Sequence, residues 1–205
     1  MMHSMSSLRF STFALGLMLA CGAAMAVPAY AQDRAPDIVS EVLQDGDFIS
    51  VTANAELALP QALAFQVLTD YERYPEFIPD IEHSKVLLRQ GTGLVLEQRG
   101  TMRFLFFSQP IDVRLAVVES APHRVVSRSL GGNLRGFSGR YEVQPAAGGV
   151  RITYSARFIP AFVLPEALGT FIVRNVFVRA FEATLREMQR RHATAGEPAR
   201  PVSGG

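Results

Sequence analysis

Between Val150 and Pro160 the chain reads VRITYSARFIP. Val150, Ile152, Tyr154, Ala156 and Phe158 fall on one side, and Arg151, Thr153, Ser155 and Arg157 on the other. Successive strand side chains point to opposite faces, so the pattern requires a strand with one face in a core and one in water. That commits the chain to an antiparallel sheet solvated on one side. Five residues later a segment opens that reads as one long helix, from Pro165 to about Arg191. Pro165 suits the first helical position and Glu166 the positive N-terminal end. Between Ala167 and Phe181 this helix is apolar almost all round, whereas a helix lying on one sheet face needs only a stripe. It therefore carries extra apolar surface.

The rest of the chain supplies the sheet. Strands are expected at about 38–44 and 47–57, joined at Asp45-Gly46, a strong hairpin signal because both central residues of a type I′ turn need positive φ. Pro60 opens a short helix to about Thr69, with Leu63, Ala64, Val67 and Leu68 on one face. SKVLLR, LVLEQRGTMRF and IDVRLAVVE read as strands, with QGTG as a turn. RVVSRSL and FSGRYEVQP follow, separated by GGNLRG. Leu94, Leu96, Gln98, Gly100, Met102 and Phe104 share one face, as do Val113, Leu115 and Val117, and Gly139, Tyr141 and Val143. Two registers are open for RVVSRSL: Val126, Arg128 and Leu130 inward, or Val125 and Ser127 inward with Arg128 exposed. Runs of strands between two helices argue for an α+β fold, one curved sheet packed on one face. Curvature leaves a space between the concave face and the long helix.

The stretch LTDYERYPEFIPDIEHSKVL, Leu68 to Leu87, falls between the first helix and the third strand. It is too aromatic for a solvent-facing linker, and Pro75 and Pro79 forbid one long helix. We read it as a stiff aromatic flap closing one end of the space, with Phe77 as its apolar anchor.

The first 31 residues read as a leader. An apolar run, FSTFALGLMLACGAAMAV, precedes PAYAQD, where Ala29 and Ala31 stand before Gln32 in the pattern of a signal-peptidase site. Export to a bacterial periplasm is expected; an uncleaved anchor and lipidation of Cys21 are the alternatives. Cys21 is the only cysteine, so the chain after cleavage has no disulfide, thiol nucleophile or thiolate metal site. The strand and hairpin turn of 32–46 lead into a domain of 47–192. The polar, Pro/Gly-rich residues 193–205 are expected to be disordered.

Charge splits along the chain. Residues 32–120 hold seven Lys/Arg and fourteen Asp/Glu, and residues 121–192 hold eleven Arg and four Glu. The halves could attract one another, or the later strands could present a basic surface. Lys85 is the only lysine, so nothing resembles a lysine-rich nucleic-acid arm.

His83, His123 and His192 lie in three different elements, and no convergent carboxylate or hydroxyl points to a zinc or Ser-His-Asp site. Asp70 and Glu72 suit the end of the first helix and the turn beyond it. QGTG and GGNLRG have neither the lysine-serine nor the following helix of a phosphate-binding loop. No catalytic residue, metal site or cofactor is indicated. The candidate cavity residues are Phe77 on the flap; Leu96, Gln98, Met102, Phe104, Leu115, Arg128, Tyr141, Tyr154 and Phe158 on the sheet; and Leu168, Phe171, Ile172 and Asn175 on the long helix. Gln98 needs a polar partner there, because a buried amide left without one costs about 1–3 kcal/mol. Arg128, if inward, would offer an anionic headgroup a charge-assisted hydrogen bond.

VLTDYERYPEFIPDIEHSKVL resembles the signature of START-like domains grouped as polyketide cyclase/dehydrase and coenzyme-Q-binding Coq10-like proteins. GGNLRGFSGRYEVQP with GVRITYSARF resembles the family's later strands, and LPEALGTFIVRNVFVRAFEATLREM its closing helix. The resemblance spans roughly 47–192. It implies a helix-grip fold, a curved antiparallel sheet wrapped around a long C-terminal helix with a hydrophobic cavity between. It also implies binding or carriage of a hydrophobic or amphipathic small molecule such as a lipid or quinone. A cyclase or dehydratase acting in the same cavity and an interaction module without ligand are the alternatives. Transient membrane contact and the oligomeric state stay open.

Overall fold

The computed structural model describes residues 35–165 and 168–196. The leader and the cleavage site behind Ala31 lie outside the described residues, as does the tail beyond residue 196. Eight strands form one antiparallel sheet: β1 (Val39–Asp45), β2 (Phe48–Leu57), β3 (Ile81–Gln90), β4 (Gly93–Phe104), β5 (Phe107–Ser120), β6 (Arg124–Gly132), β7 (Leu134–Ala146) and β8 (Gly149–Pro160). Their order is β1-β2-β8-β7-β6-β5-β4-β3. Helix α1 (Gln61–Leu68), a 3₁₀ turn (Tyr71–Arg73) and the short α2 (Tyr74–Phe77) lie between β2 and β3, and α3 (Gly169–Gly196) ends the described chain. This is the curved sheet and long C-terminal helix of a helix-grip fold. Register shifts in the β3–β4, β5–β6 and β7–β8 pairs mark bulges, which bend the strands they interrupt.

The alternation in β8 holds: Val150, Ile152, Ala156 and Phe158 are buried and Tyr154 is half-buried. Helix α3 packs along β1 and β2 and reaches β4 on the far side. Phe181, Leu185 and Met188 of α3 share one buried cluster with Val51, Val143, Ile152 and Phe158. Among the described residues three ion pairs join the acidic half of the chain to the basic half: Glu56–Arg151, Asp70–Arg191 and Asp80–Arg179.

Four expectations need correction. The β1–β2 turn is Gly46-Asp47, because Asp45 pairs with Phe48; only Gly46 takes a positive φ, so the turn is not type I′. The long helix begins at Gly169, not Pro165. The Pro165 carbonyl instead accepts the Leu168 and Gly169 N–H groups, at 3.0 and 2.7 Å, in a turn that leads into the helix. The helix continues to Gly196, past the expected end near Arg191. In β6, Val125 is buried and Arg128 exposed, which selects the register with Val125 and Ser127 inward.

Gly100 has a specific reason to be glycine. A Cβ there would overlap the Asp80 carbonyl oxygen, which accepts the Thr101 N–H at 3.0 Å. The missing side chain lets the end of the flap lie directly on β4.

Candidate functional site

Between the sheet and α3 lies a cavity of about 220 Å³. An engineered apolar cavity of about 150 Å³ already admits benzene, so this one takes a somewhat larger molecule or part of a chain. Its floor is the concave face of β4 to β8, with Leu96, Gln98 and Met102 on β4 and Val113, Leu115 and Val117 on β5. Val125 and Ser127 of β6, Leu134, Phe137 and Tyr141 of β7, and Tyr154 of β8 complete it. The roof is a stripe of α3, Val176, Phe177, Ala180 and Phe181, at the spacing of one helix face. The flap supplies Tyr71, Tyr74 and Ile78, and Asp80, Ile81, Arg99, Gly100 and Ile111 complete the lining.

The polar groups on this wall are few, and Gln98 and Tyr74 are held by hydrogen bonds. Gln98 Nε2 donates to Ser84 Oγ at 3.2 Å, the partner that a buried amide requires. Tyr74 donates its hydroxyl to the Leu68 carbonyl at 2.6 Å, which ties the flap to the end of α1. The Tyr141 and Tyr154 rings lie 4.6 Å apart and pack under Phe181 and Phe177 of the helix, at 6.4 and 6.1 Å. Burial pushes both hydroxyls up, with the Thr184 hydroxyl tempering the rise at Tyr141. Burial also raises Tyr74 and, with the Glu119 carboxylate beside it, Tyr71. These tyrosines stay neutral and offer hydrogen bonds, not charge. Beside the roof, Arg179 pairs with Asp80 and donates to the Arg103 carbonyl at 2.9 Å. Among the described residues no group of three or more His, Cys, Asp or Glu side chains is placed to hold a metal ion.

A sequence model of the family described as polyketide cyclase / dehydrase and lipid transport matches residues 49–193. The chain belongs to that family. Comparison with curated proteins finds no match. Among solved structures the chain is similar to the Zhui aromatase/cyclase of Streptomyces sp. R1128, with 17% identity, a TM-score of 0.59, and coverage of 80% of this chain and 99% of that one. It is similar to a STAR-related lipid transfer protein from Xanthomonas axonopodis, at 14% identity and TM-score 0.58, covering 76% and 99%. It is also similar to a START superfamily protein from Mycobacterium smegmatis, at 14% identity and TM-score 0.54, covering 72% and 98%. At such identities the likeness is one of fold.

Within this polyketide cyclase / dehydrase and lipid transport fold, six of the expected site residues meet on the cavity wall: Leu96, Gln98, Met102, Leu115, Tyr141 and Tyr154. The others lie elsewhere. Arg128 is exposed on the far face of β6. Phe158 is fully buried beneath Phe177, ring centroids 5.5 Å apart, as core and not wall. Phe77 packs edge-on against Tyr74 at 5.5 Å, with the Arg191 guanidinium 5.9 Å from its ring, so the flap is anchored on the helix by Phe77 and faces the cavity through Tyr71, Tyr74 and Ile78.

On the helix, Ile172 joins a smaller cluster with Met102 and Val176, against which Leu168 and Phe104 pack. Phe171 is half-exposed against Phe104, ring centroids 5.3 Å apart. Asn175 returns its side-chain N–H to the Phe171 carbonyl at 2.8 Å. These four residues fall at or before the first turns of α3, short of the cavity. The cavity stripe that sequence reasoning missed, Val176 to Phe181, begins one residue past Asn175. The histidines do not converge: His83 approaches Glu97 at 3.6 Å, while His123 meets Gln61 Nε2 at 2.9 Å.

Proposed function

We propose that this chain binds a hydrophobic or amphipathic small molecule, a lipid, a quinone or a molecule of similar character, in the cavity under α3, and carries it unchanged. The observation behind this reading is the cavity wall. It is built mainly from aliphatic and aromatic side chains, with Gln98, Ser127, Asp80, Arg99 and the tyrosine hydroxyls as its polar points on the sheet and flap. Moving a ligand's apolar surface out of water onto such a wall contributes about 25 cal/mol per Å². Tyrosines kept protonated by burial suit hydrogen bonding to a bound molecule, not proton removal from it. With Arg128 on the solvent face and Arg99 paired with Glu97 at 2.7 Å, no unpaired cation of the cavity lining selects an anionic headgroup. A ligand with a neutral polar end fits better.

Filling the cavity tests this reading. Ala180 lines the roof, and Ala180→Phe would put a ring into the space. The variant is expected to bind a polarity-sensitive naphthalene dye at least about 10-fold more weakly, a loss of about 1.4 kcal/mol, with its melting temperature nearly unchanged. Equal dye binding by both proteins would show that the cavity is not the site. Native mass spectrometry of the protein from its own cells would then name the ligand.

We also propose that the chain works outside the cytoplasm, on the strength of the leader pattern ending at Ala31. Intact-mass analysis is expected to find a chain beginning at Gln32. A chain retaining residues 1–31, or a diacylglyceryl group on Cys21, would overturn this.

A further inference from the structure

The β4–β5 hairpin ends in the two-residue turn Leu105-Phe106, and both side chains are 80% exposed. Hairpin turns of this length favour Asn-Gly and its relatives, because their backbone needs positive φ. Here Leu105 sits at φ +50, the only non-glycine residue with positive φ among the described residues. An apolar side chain is thus held in water on a strained backbone, and strain of this kind clusters at functional positions. The hairpin does not stand alone. Phe104 packs on Phe171 and Phe107 on Phe162, at 5.3 and 6.5 Å, which brings Val163, 88% exposed, and the half-exposed Phe171 to the same end of the molecule.

We infer that this end is a membrane-docking tip, with Leu105, Phe106, Val163 and Phe171 entering the interfacial region of a lipid bilayer. Three observations favour a bilayer over a protein partner. The four side chains expose together roughly 500 Å², below the ~800 Å² per partner of a stable protein interface, yet enough large apolar groups for interfacial insertion. On β4 and α3 the flanking cations are Arg103, Arg174 and Arg179; Arg103 is paired with Glu82 and Arg179 with Asp80, which leaves Arg174, hydrogen-bonded to Ser40, to meet an anionic headgroup. The apolar surface is also continuous with the cavity: Phe104, Phe107 and Phe162 pack on Met102 and Val176, which themselves line it. Among the described residues no helix is long and apolar enough to cross a membrane, so the contact is made at the surface.

The chain contains no tryptophan, so Phe106→Trp places a single reporter at the tip. Adding vesicles of phosphatidylcholine with 30% phosphatidylglycerol is expected to shift its emission to the blue, and brominated acyl chains should quench it. Pure phosphatidylcholine should need more lipid for the same shift. Leu88→Trp, an exposed position on β3, should not respond. Adding Leu105→Asn to Phe106→Trp removes an apolar group and suits the positive φ, so folding is kept while the lipid needed for half-maximal shift rises about 10-fold. The inference is overturned if emission at position 106 is unmoved by either vesicle. It is also overturned if emission shifts with protein concentration instead of lipid, which would make the tip a self-association surface. The result is independent of the cavity: Ala180→Phe, which closes it, should leave the shift intact.

Discussion

Replacing Phe158 with alanine is expected to cost about 3–5 kcal/mol of stability, among the largest losses of any single substitution in this fold. Phe158 is fully buried on β8, with Phe177 of α3 5.5 Å away on one side and Phe137 of β7 6.5 Å away on the other. It also pairs with Ile49 of β2. The ring therefore joins the helix to three strands, and its neighbours cannot collapse into the void together. Equilibrium urea unfolding with an unchanged slope measures the loss. Dye affinity should fall much less than in Ala180→Phe, because the Phe158 ring is not on the cavity wall. A loss of affinity larger than the loss of stability would return Phe158 to the site.

That contrast shows what the sequence could and could not reveal. Strict alternation in β8 assigned Phe158 to the correct face. It could not say whether that part of the face lies under the helix or beside it, because one concave surface serves both the core and the cavity. The difference is set by strand order. In β1-β2-β8-β7-β6-β5-β4-β3, the strands next to β1 lie against α3 and those toward β4 line the space, and non-neighbouring strands fix that order. The helix carried the same ambiguity along its axis. Periodicity reveals which face is apolar, not which turn stands over the cavity, so Leu168, Phe171 and Ile172 were chosen where Phe177, Ala180 and Phe181 do the lining.

The flap was legible as a bend, since Pro75 and Pro79 allow little else. Its inward set is Tyr71, Tyr74 and Ile78, spaced by three and four residues like one face of a helix. Reading helical phase through the prolines would have found them; reading Phe77 as the most apolar residue did not. The register of β6 was left open because Val125 and Val126 satisfy either choice. Pairing with β5 and β7 decided it.

The second large effect concerns the latch between the flap and the end of α3, and it depends on pH. Glu187 is 7% exposed. Its Oε1 accepts from Arg191 Nε and Arg190 Nη2, each at 2.7 Å, and its Oε2 accepts from Arg190 Nε at 2.7 Å. Arg191 continues to Asp70 at 2.7 Å, near the start of the flap segment. The Arg190 hydrogen bonds, working against burial and assisted by Arg191, hold the Glu187 carboxyl at about 2. Its folded value lies below that of the unfolded chain, where a glutamate titrates near ~4.3. Its stabilisation is therefore complete above about pH 5 and lost as pH falls toward 2. A shift of roughly two units would correspond to about 3 kcal/mol; with Arg190 largely in solvent, about 2 kcal/mol is the better expectation. Glu187→Gln should lose that amount at neutral pH and flatten the dependence of urea midpoint on pH between 5 and 2. An acid slope identical to wild type would place the acid sensitivity elsewhere. Because Arg191 links Glu187 to Asp70 and lies over Phe77, the same variant should release bound dye faster at neutral pH. Phe158→Ala, which weakens the core without touching the latch, should not.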